Sequence, residues 1–447
     1  MIFEPELETM ARKDLAKLQD ERVRRLARYV HERVPFYRGT FEAAELTPSD
    51  IRSVGDLRAL PFTTKNDLRD NYPFGLFAVP SEEVVRIHAS SGTTGKPTVV
   101  GYTAPDIDVF ARVNARCLAM AGATPDMMLH NAYGYGLFTG GLGLHYGGER
   151  RGMTVVPVSG GMTERQLTLI TDFKPQVICC TPSYALTLAQ ELHERGVPPR
   201  AISLRYALLG AEPWTEGMRR EVDTRLGVRS TNIYGLSEII GPGVSNECVE
   251  ERDGSHVNED HFFPEVVNPE TGEPLDDGEE GVLVFTSLTK RALPLLRYWT
   301  GDIASLVREP CSCGRTLARM SLIKGRTDDM LIVRGINLYP TQIEDIIGSI
   351  PELSPHYRLV VTRDGTLDDI GVEVEVTDEV FRRAGDRLPS DEKTPEDGEL
   401  SRLSSSVAST IKSVTGCSVT VTLLAPGTAP RSEGGKLSRV DDRRELS

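Results

Sequence analysis

The run Ser90-Ser91-Gly92-Thr93-Thr94-Gly95-Lys96-Pro97 gathers hydroxyls, glycines and one lysine into a single loop. Glycines let the backbone turn several N–H groups toward one anion, hydroxyls add donors, and Lys96 adds charge. This chemistry suits a polyphosphate. The loop is not of the Walker type, which needs a wider glycine spacing and a Ser or Thr after the lysine, where Pro97 stands here. Taken alone, the composition also describes a flexible linker.

A second group has metal-ligand chemistry. Cys311-Ser312-Cys313-Gly314-Arg315 places two thiols on one tight turn, and Cys248 and His256 lie earlier in the chain. Three thiols and one imidazole would make a closed, four-coordinate Zn2+ site of the structural kind. His261 is a rival for the fourth ligand, and unliganded buried cysteines are the alternative to any metal. A disulfide framework does not fit seven cysteines, an odd number, scattered over 447 residues. A third group, Asn131-Ala132-Tyr133-Gly134-Tyr135-Gly136-Leu137-Phe138, mixes aromatics and glycines. It reads either as a flat apolar slot for an aryl ring or as core packing.

The elements that must position these residues alternate. Leu15, Leu18, Val23, Leu26, Tyr29 and Val30 recur at helical spacing, and Pro35 closes that helix. A strand-like segment, 84–88, leads into the Ser90 loop. Strands are expected over Met153–Val158, Val177–Cys180 and Tyr206–Gly210, with helices over Thr163–Phe173 and Tyr184–Arg195 between them. Such alternation predicts parallel, doubly wound sheets. After Arg326 a smaller α+β unit is expected. It has strands at Met330–Val333, Arg358–Val361, Gly371–Val376 and Ser418–Leu424, and helices at Thr341–Ser349 and Leu400–Val414. Asp378–Glu399 is charged and reads as an exposed loop.

Composition narrows the partners. The formal charge is −14, with 39% hydrophobic and 26% charged residues. A surface this acidic disfavours nucleic acid or an anionic membrane as the main partner. No apolar run is long enough to span a bilayer, and the N-terminus lacks the pattern of a secretion signal. The expected location is the cytoplasm.

Further motifs give the phosphate loop its context. Tyr234-Gly235-Leu236-Ser237-Glu238, Tyr298-Trp299-Thr300-Gly301-Asp302, Gly325-Arg326-Thr327-Asp328-Asp329 and Arg431–Lys436 follow Ser90–Pro97 in order. Together the five resemble the ordered motifs of the adenylate-forming superfamily of acyl-CoA synthetases, adenylation domains and luciferases. Val34-Pro35-Phe36-Tyr37, Leu60-Pro61-Phe62-Thr63-Thr64-Lys65, Gly210-Ala211-Glu212-Pro213-Trp214, Gly235–Cys248, Glu259-Asp260-His261-Phe262 and Arg334–Pro340 extend the likeness over nearly the whole chain. Within the superfamily they most resemble the phenylacetate-CoA ligase family.

The resemblance implies an α/β fold. It has a large N-terminal domain of packed sheets and helices, residues 1–326, and a smaller mobile α+β C-terminal domain, residues 327–447. It implies activation of an aryl acid by ATP with Mg2+, then transfer of the acyl group to CoA. Ser90, Ser91, Gly92, Thr93, Thr94, Gly95 and Lys96 would hold the β- and γ-phosphates. Gly210, Ala211, Glu212, Tyr234, Gly235 and Ser237 would surround the nucleotide, with Tyr234 against adenine. Asp302 would accept the ribose hydroxyls, Arg326 would contact the ribose or phosphates, and Glu238 would help hold Mg2+. Tyr135, Phe138 and Ala211 would line the acid pocket.

Lys436 would be the catalytic lysine of adenylation, Asp328 the hinge, and Gly335 the residue at the CoA tunnel, where a side chain would block close approach. A structural Zn2+ at Cys248, His256, Cys311 and Cys313 occurs in some relatives of this kind, and homodimers are common among them. Rival acceptors are a carrier protein, an amine or another cofactor. A degenerate adenylate sensor is disfavoured because Lys436, Glu238 and Asp302 are all retained.

Overall fold

The computed structural model describes residues 1–89, 97–327, 331–333, 336–364, 367–385, 388, 398–432 and 437–444. Two units are distinguished. The first comprises Met1–Cys180, Pro198–Ala211 and Gly227–Ile323; the second comprises Thr181–Val197, Glu212–Leu226 and Lys324–Ser447.

The first unit contains fourteen strands among the described residues. They are β1 (Arg86–Ala89), β2 (Val99–Tyr102), β3 (Met128–Asn131), β4 (Thr154–Val156), β5 (Val177–Cys180), β6 (Tyr206–Gly210) and β7 (Arg229–Leu236). They continue with β8 (Gly241–Glu247), β9 (Ser255–Val257), β10 (Phe262–Val267), β11 (Gly281–Ser287), β12 (Tyr298–Ala304), β13 (Leu306–Val307) and β14 (Arg319–Met320). Nine of them form one sheet in the order β13-β14-β9-β8-β7-β6-β5-β3-β4. From β4 to β7 the pairing is parallel. Every residue of β5 is buried, as expected of a strand covered on both faces.

Only that half is the parallel, wound sheet expected from the sequence. At β7 the direction of pairing changes, and β8, β9, β14 and β13 continue antiparallel. The cause is local. Only residues 237–240 separate β7 from β8, and a parallel return needs a crossover several times longer. A second sheet carries β10, β11 and β12 antiparallel. β1 and β2 form a separate hairpin, Arg86 opposite Tyr102 and Ala89 opposite Val99. Residues 90–98 lie between its strands in the sequence.

The first long helix runs Arg12–Arg33 and buries Val23, Leu26, Ala27 and Val30 on one stripe. Pro35 does not simply end it. Val34 is extended and Pro35 opens the next helix, Pro35–Ala43, at the position where a missing N–H costs nothing. The helix Ala104–Met120 begins at a capping box in which Thr103 accepts from Asp106 N–H and the Asp106 carboxylate accepts from Thr103 N–H.

In the second unit, Leu353–Asp364 and Leu367–Val376 pair antiparallel, with Thr420–Leu424 and Val440–Asp442 added parallel on the two outer sides. Helices Pro340–Gly348 and Glu399–Thr415 contribute Ile343, Ile347, Val407 and Ile411 to a core shared with Val372 and Val374. Asp378–Glu399 is not loop throughout: Asp378–Arg383 is a helix. Thr377 caps it, and acids in its first turn and arginines in its last complement the helix dipole. Among the described residues no helix is long and apolar enough to cross a membrane.

Candidate functional site

The chemistry-bearing residues of the first unit collect where β7 ends and the sheet changes direction. Tyr234 lies near the end of β7 and Asp302 within β12. The Tyr234 hydroxyl donates to Asp302 Oδ2 at 2.6 Å, and both side chains are buried. One face of the Tyr234 ring stacks on Phe285, with centroids 6.1 Å apart. Ser237 and Glu238 occupy the turn after β7, where Ile239 and Ile240 N–H both bond back to Leu236 O.

Backbone approach explains the small residues here. A methyl on Gly235 would meet Gly241 O, and one on Gly210 would meet Ile233 O. Ala211 follows at the end of β6 with φ +73°, a left-handed conformation costly for a residue with a Cβ. Strain held at the mouth of a sheet is a frequent mark of a working site.

The Glu238 turn is tied at several points. Tyr102 on β2 donates its hydroxyl to Ile240 O at 2.9 Å. Thr139 Oγ1 and Ser237 Oγ are 3.3 Å apart. Lys290 donates to Glu238 O at 3.4 Å and lies over the Tyr102 ring, 4.4 Å from its centroid. Burial pulls the Lys290 ammonium down to about 8. Sequence reasoning missed Lys290, Tyr102 and Thr139, because no motif contains them; they meet only through the folding of β2 and the β11–β12 connection.

In the aromatic slot, Asn131 Nδ2 donates to the Tyr135 hydroxyl at 2.8 Å and to Gly141 O at 2.7 Å. The Tyr135 hydroxyl is 3.2 Å from His145 Nδ1, and His145 Nε2 is 3.1 Å from Glu149. Tyr135 is therefore fixed by its hydroxyl, while Phe138 is 51% exposed. A surface cleft of about 860 Å3 near Phe36, Phe62 and Arg297 includes none of the candidate residues.

In the second unit, the Glu212 carboxylate accepts from Ser183 N–H at 2.7 Å, at the start of the helix Pro182–Glu194, and from Leu437 N–H at 3.2 Å. Arg431 is held by two parallel bonds to Glu375, of 2.9 and 2.8 Å. Arg326 lies in the short strand Gly325–Arg326. Ser90–Lys96, Asp328, Gly335 and Lys436 lie outside the described residues.

The thiols converge. Donor atoms of Cys248, His256, Cys311 and Cys313 all lie within 4.8 Å of one another. Cys248 and Cys311 Sγ are 3.7 Å apart, and Cys313 Sγ is 3.5 Å from His256 Nε2. A tetrahedron with metal–sulfur bonds of ~2.3 Å and metal–nitrogen bonds of ~2.0 Å has edges of ~3.8 Å and ~3.5 Å. The donor set therefore fits Zn2+. His256 Nδ1 faces Leu317 O at 3.4 Å, which leaves Nε2 as the ligating atom. The Cys311 thiol is pushed down, mainly by its hydrogen bond with His256.

Gly314, at φ +91°, lets the Cys-x-Cys turn close with a bond from Gly314 N–H to Cys311 O. Arg315 is buried behind it, donating to Glu8 Oε2 at 2.7 Å and lying 3.5 Å from Cys313 Sγ. His261 is not part of the cluster. Its Nδ1 meets Thr289 Oγ1 at 2.7 Å and its Nε2 lies 3.3 Å from Asp260.

The chain resembles known proteins along its whole length. Residues 17–289 match the AMP-binding enzyme family and residues 335–444 match the AMP-binding enzyme C-terminal domain. A phenylacetate-coenzyme A ligase of Thermus thermophilus is 64% identical over 445 residues, covering 100% of both chains. A phenylacetate-coenzyme A ligase of Escherichia coli is 50% identical over 98% of this chain and 97% of its own. Among solved structures, a 2-hydroxyisobutyryl-CoA ligase in the postadenylation state with 2-HIB-AMP superposes with a TM-score of 0.90 at 27% identity, covering 99% of this chain and 92% of that one. With both family regions matched in order and full-length identity this high, the chain belongs to the AMP-binding enzymes and, among them, to the phenylacetate-coenzyme A ligase family.

Proposed function

We propose that this AMP-forming CoA ligase acts on phenylacetate or a close aryl acid, with CoA as the acceptor. The observation that carries the reading is the 64% identity to a phenylacetate-coenzyme A ligase along the entire chain. A carboxylate is a poor acyl donor, because its leaving group would be oxide or hydroxide. Attack of the carboxylate on the α-phosphate of ATP gives an acyl-adenylate and releases pyrophosphate. The CoA sulfur then attacks the acyl carbon, and AMP leaves.

The first step brings an anion onto a polyanion, so charge neutralisation and positioning dominate it. In this reading Ser90–Lys96 hold the β- and γ-phosphates, and Lys436 lies between the carboxylate and the α-phosphate. Glu238 is a hard oxygen ligand for Mg2+, which when bound offsets phosphate charge. Asp302, oriented by the Tyr234 hydroxyl, accepts from the ribose. Gly210, Ala211, Gly235 and Ser237 frame the nucleotide, and Arg326 serves its ribose or phosphate end. Glu212 acts there through the backbone it grips rather than through a free carboxylate.

Tyr135, Phe138 and Ala211 serve the acid. Residues 327–447 alternate about Asp328 between the two half-reactions, bringing Gly335 to the CoA tunnel and withdrawing Lys436. Cys248, His256, Cys311 and Cys313 hold a structural Zn2+. In the same reading the enzyme is cytoplasmic and homodimeric, and its partners are small molecules.

Incubation with ATP, CoA and a panel of aryl acids tests the substrate and acceptor. We expect AMP and aryl-CoA in equal amounts, with phenylacetate preferred. AMP without CoA consumption would assign the acceptor elsewhere, and no AMP with any acid would overturn the activity. We further expect Lys436→Ala to abolish pyrophosphate exchange while sparing CoA transfer from preformed acyl-adenylate. Equal loss in both would count against the alternation of residues 327–447.

A further inference from the structure

Lys290 is a charged residue for which the two half-reactions have found no use. It is 4% exposed, in the connection between β11 and β12. Among the described residues no carboxylate lies within ion-pair distance of its ammonium. Its one hydrogen bond among the described residues is to a main-chain oxygen, that of Glu238, at 3.4 Å. The carboxylates of Asp106 and Glu238 act on it only from beyond contact distance. Burying an ammonium without a contact ion pair is destabilising, and an apolar side chain of the same length would fill the space at lower cost. Asp106 does not relieve the charge by contact. Its carboxylate is occupied by Thr103 N–H and by Arg291 and Ala292 N–H at 2.7 and 3.0 Å. Those last two bonds instead fix the backbone beside Lys290 and aim its side chain inward.

The surroundings show what the ammonium joins. It sits on the face of Tyr102, whose hydroxyl is bonded to Ile240 O on the far side of the same turn. Tyr102 belongs to the β1–β2 hairpin, and its ring meets His88 edge-on, with centroids 5.6 Å apart. His88 Nδ1 is bonded to Leu137 O at 2.9 Å, and its buried Nε2 has no partner among the described residues. A buried cation and an unpaired imidazole nitrogen thus flank Tyr102, between the hairpin and the Glu238 turn. Both groups suit an oxyanion brought by a ligand: Lys290 has no contact ion pair and His88 Nε2 no hydrogen-bond partner among the described residues.

We propose that Lys290 is a positioning residue for adenylation: it clamps the Glu238 turn to the β1–β2 hairpin and keeps its positive charge for the polyphosphate of the nucleotide. The proposal rests on the reading that Glu238 serves Mg2+ and the phosphates. A mere packing role predicts that loss of the ammonium lowers stability and both half-reactions together. A positioning charge predicts the opposite pattern, stability kept or raised while one half-reaction fails.

The test compares Lys290→Met and Lys290→Arg with the unaltered enzyme. It measures pyrophosphate exchange over a range of Mg2+ concentrations, CoA transfer from preformed acyl-adenylate, and the melting temperature. For Lys290→Met we expect exchange to fall roughly tenfold to a hundredfold, with a higher Mg2+ requirement. CoA transfer should be unchanged and the melting temperature equal or higher. Lys290→Arg should recover part of the exchange.

Exchange at the unaltered rate in Lys290→Met, or a parallel loss of exchange, transfer and melting temperature, would overturn the proposal. Glu238→Gln separates the two readings. If it leaves the Mg2+ dependence of exchange unchanged, the metal role of Glu238 fails, and Lys290 is then judged on the split between exchange and transfer alone. If Glu238→Gln raises the Mg2+ requirement and Lys290→Met does not, only the Lys290 proposal fails.

Discussion

Tyr234 and Asp302 are 68 positions apart in the chain and share one hydrogen bond of 2.6 Å. A hydrogen bond to a buried carboxylate fixes its direction, and under the proposed function a fixed acceptor is what the ribose diol would need. We expect Tyr234→Phe to keep the ring against Phe285 while raising KM for ATP by about tenfold, which corresponds to a lost charge-assisted bond of ~1.4 kcal/mol. Steady-state kinetics over ATP concentration checks this, and an unchanged KM would remove the orienting role. Both residues were legible in the sequence because each sits in a recognisable run, Tyr234-Gly235-Leu236-Ser237-Glu238 and Tyr298-Trp299-Thr300-Gly301-Asp302. Their bond to each other was not, since no local pattern encodes a partner on another sheet. Lys290 shows the limit from the other side. In Leu288-Thr289-Lys290-Arg291-Ala292 it reads as an ordinary surface lysine, and only the Asp106 bonds to the next two N–H groups turn it inward.

At the scale of elements, local pattern succeeded where burial was simple. The helix Thr163–Phe173 was placed from its amphipathic pattern, and the strands Val177–Cys180 and Tyr206–Gly210 from short apolar runs. The antiparallel half of the large sheet was not, because β8 and β9 are rich in Gly, Ser, Asn and His rather than alternating apolar residues, and β14 is only two residues long. They are held by register and by buried polar contacts instead. The Cys-x-Cys turn belongs here, since it braces two weak strands: Met320 of β14 pairs with Ser255 of β9, and Arg319 with His256. We expect the purified chain to carry about one zinc ion and Cys313→Ser to lose it. The melting temperature of that variant should fall by several degrees, as expected for a loss of ~2 kcal/mol in a unit of this size. Metal analysis and thermal unfolding decide it; a metal-free chain with full stability would remove the zinc site.

Across the whole molecule, four histidines, His88, His130, His261 and His356, are pushed below the usual range by burial. His261 is lowered to about 4. Between that value and the ordinary 6.5, an unfolded chain takes up a proton that the folded chain refuses, so folding stability falls as pH drops through this window. Glu221, Glu265, Glu344 and Asp345 are pushed up by burial and act in the opposite direction. The measurement is therefore a difference. The stability of the unaltered chain relative to His261→Gln should decline by about 2 kcal/mol between pH 7 and pH 5. Urea midpoints at the two pH values read it, and a difference independent of pH would count against a neutral buried His261. The bond from Arg315 to Glu8 has a consequence in time as well as in space. It spans 307 positions of the chain. At a synthesis speed of ~5–20 residues per second, Glu8 leaves the ribosome roughly 15–60 s before its arginine is made. Until then the buried Glu8 carboxylate lacks this cation, so its turn cannot complete its ion pair until the chain has grown 307 residues further.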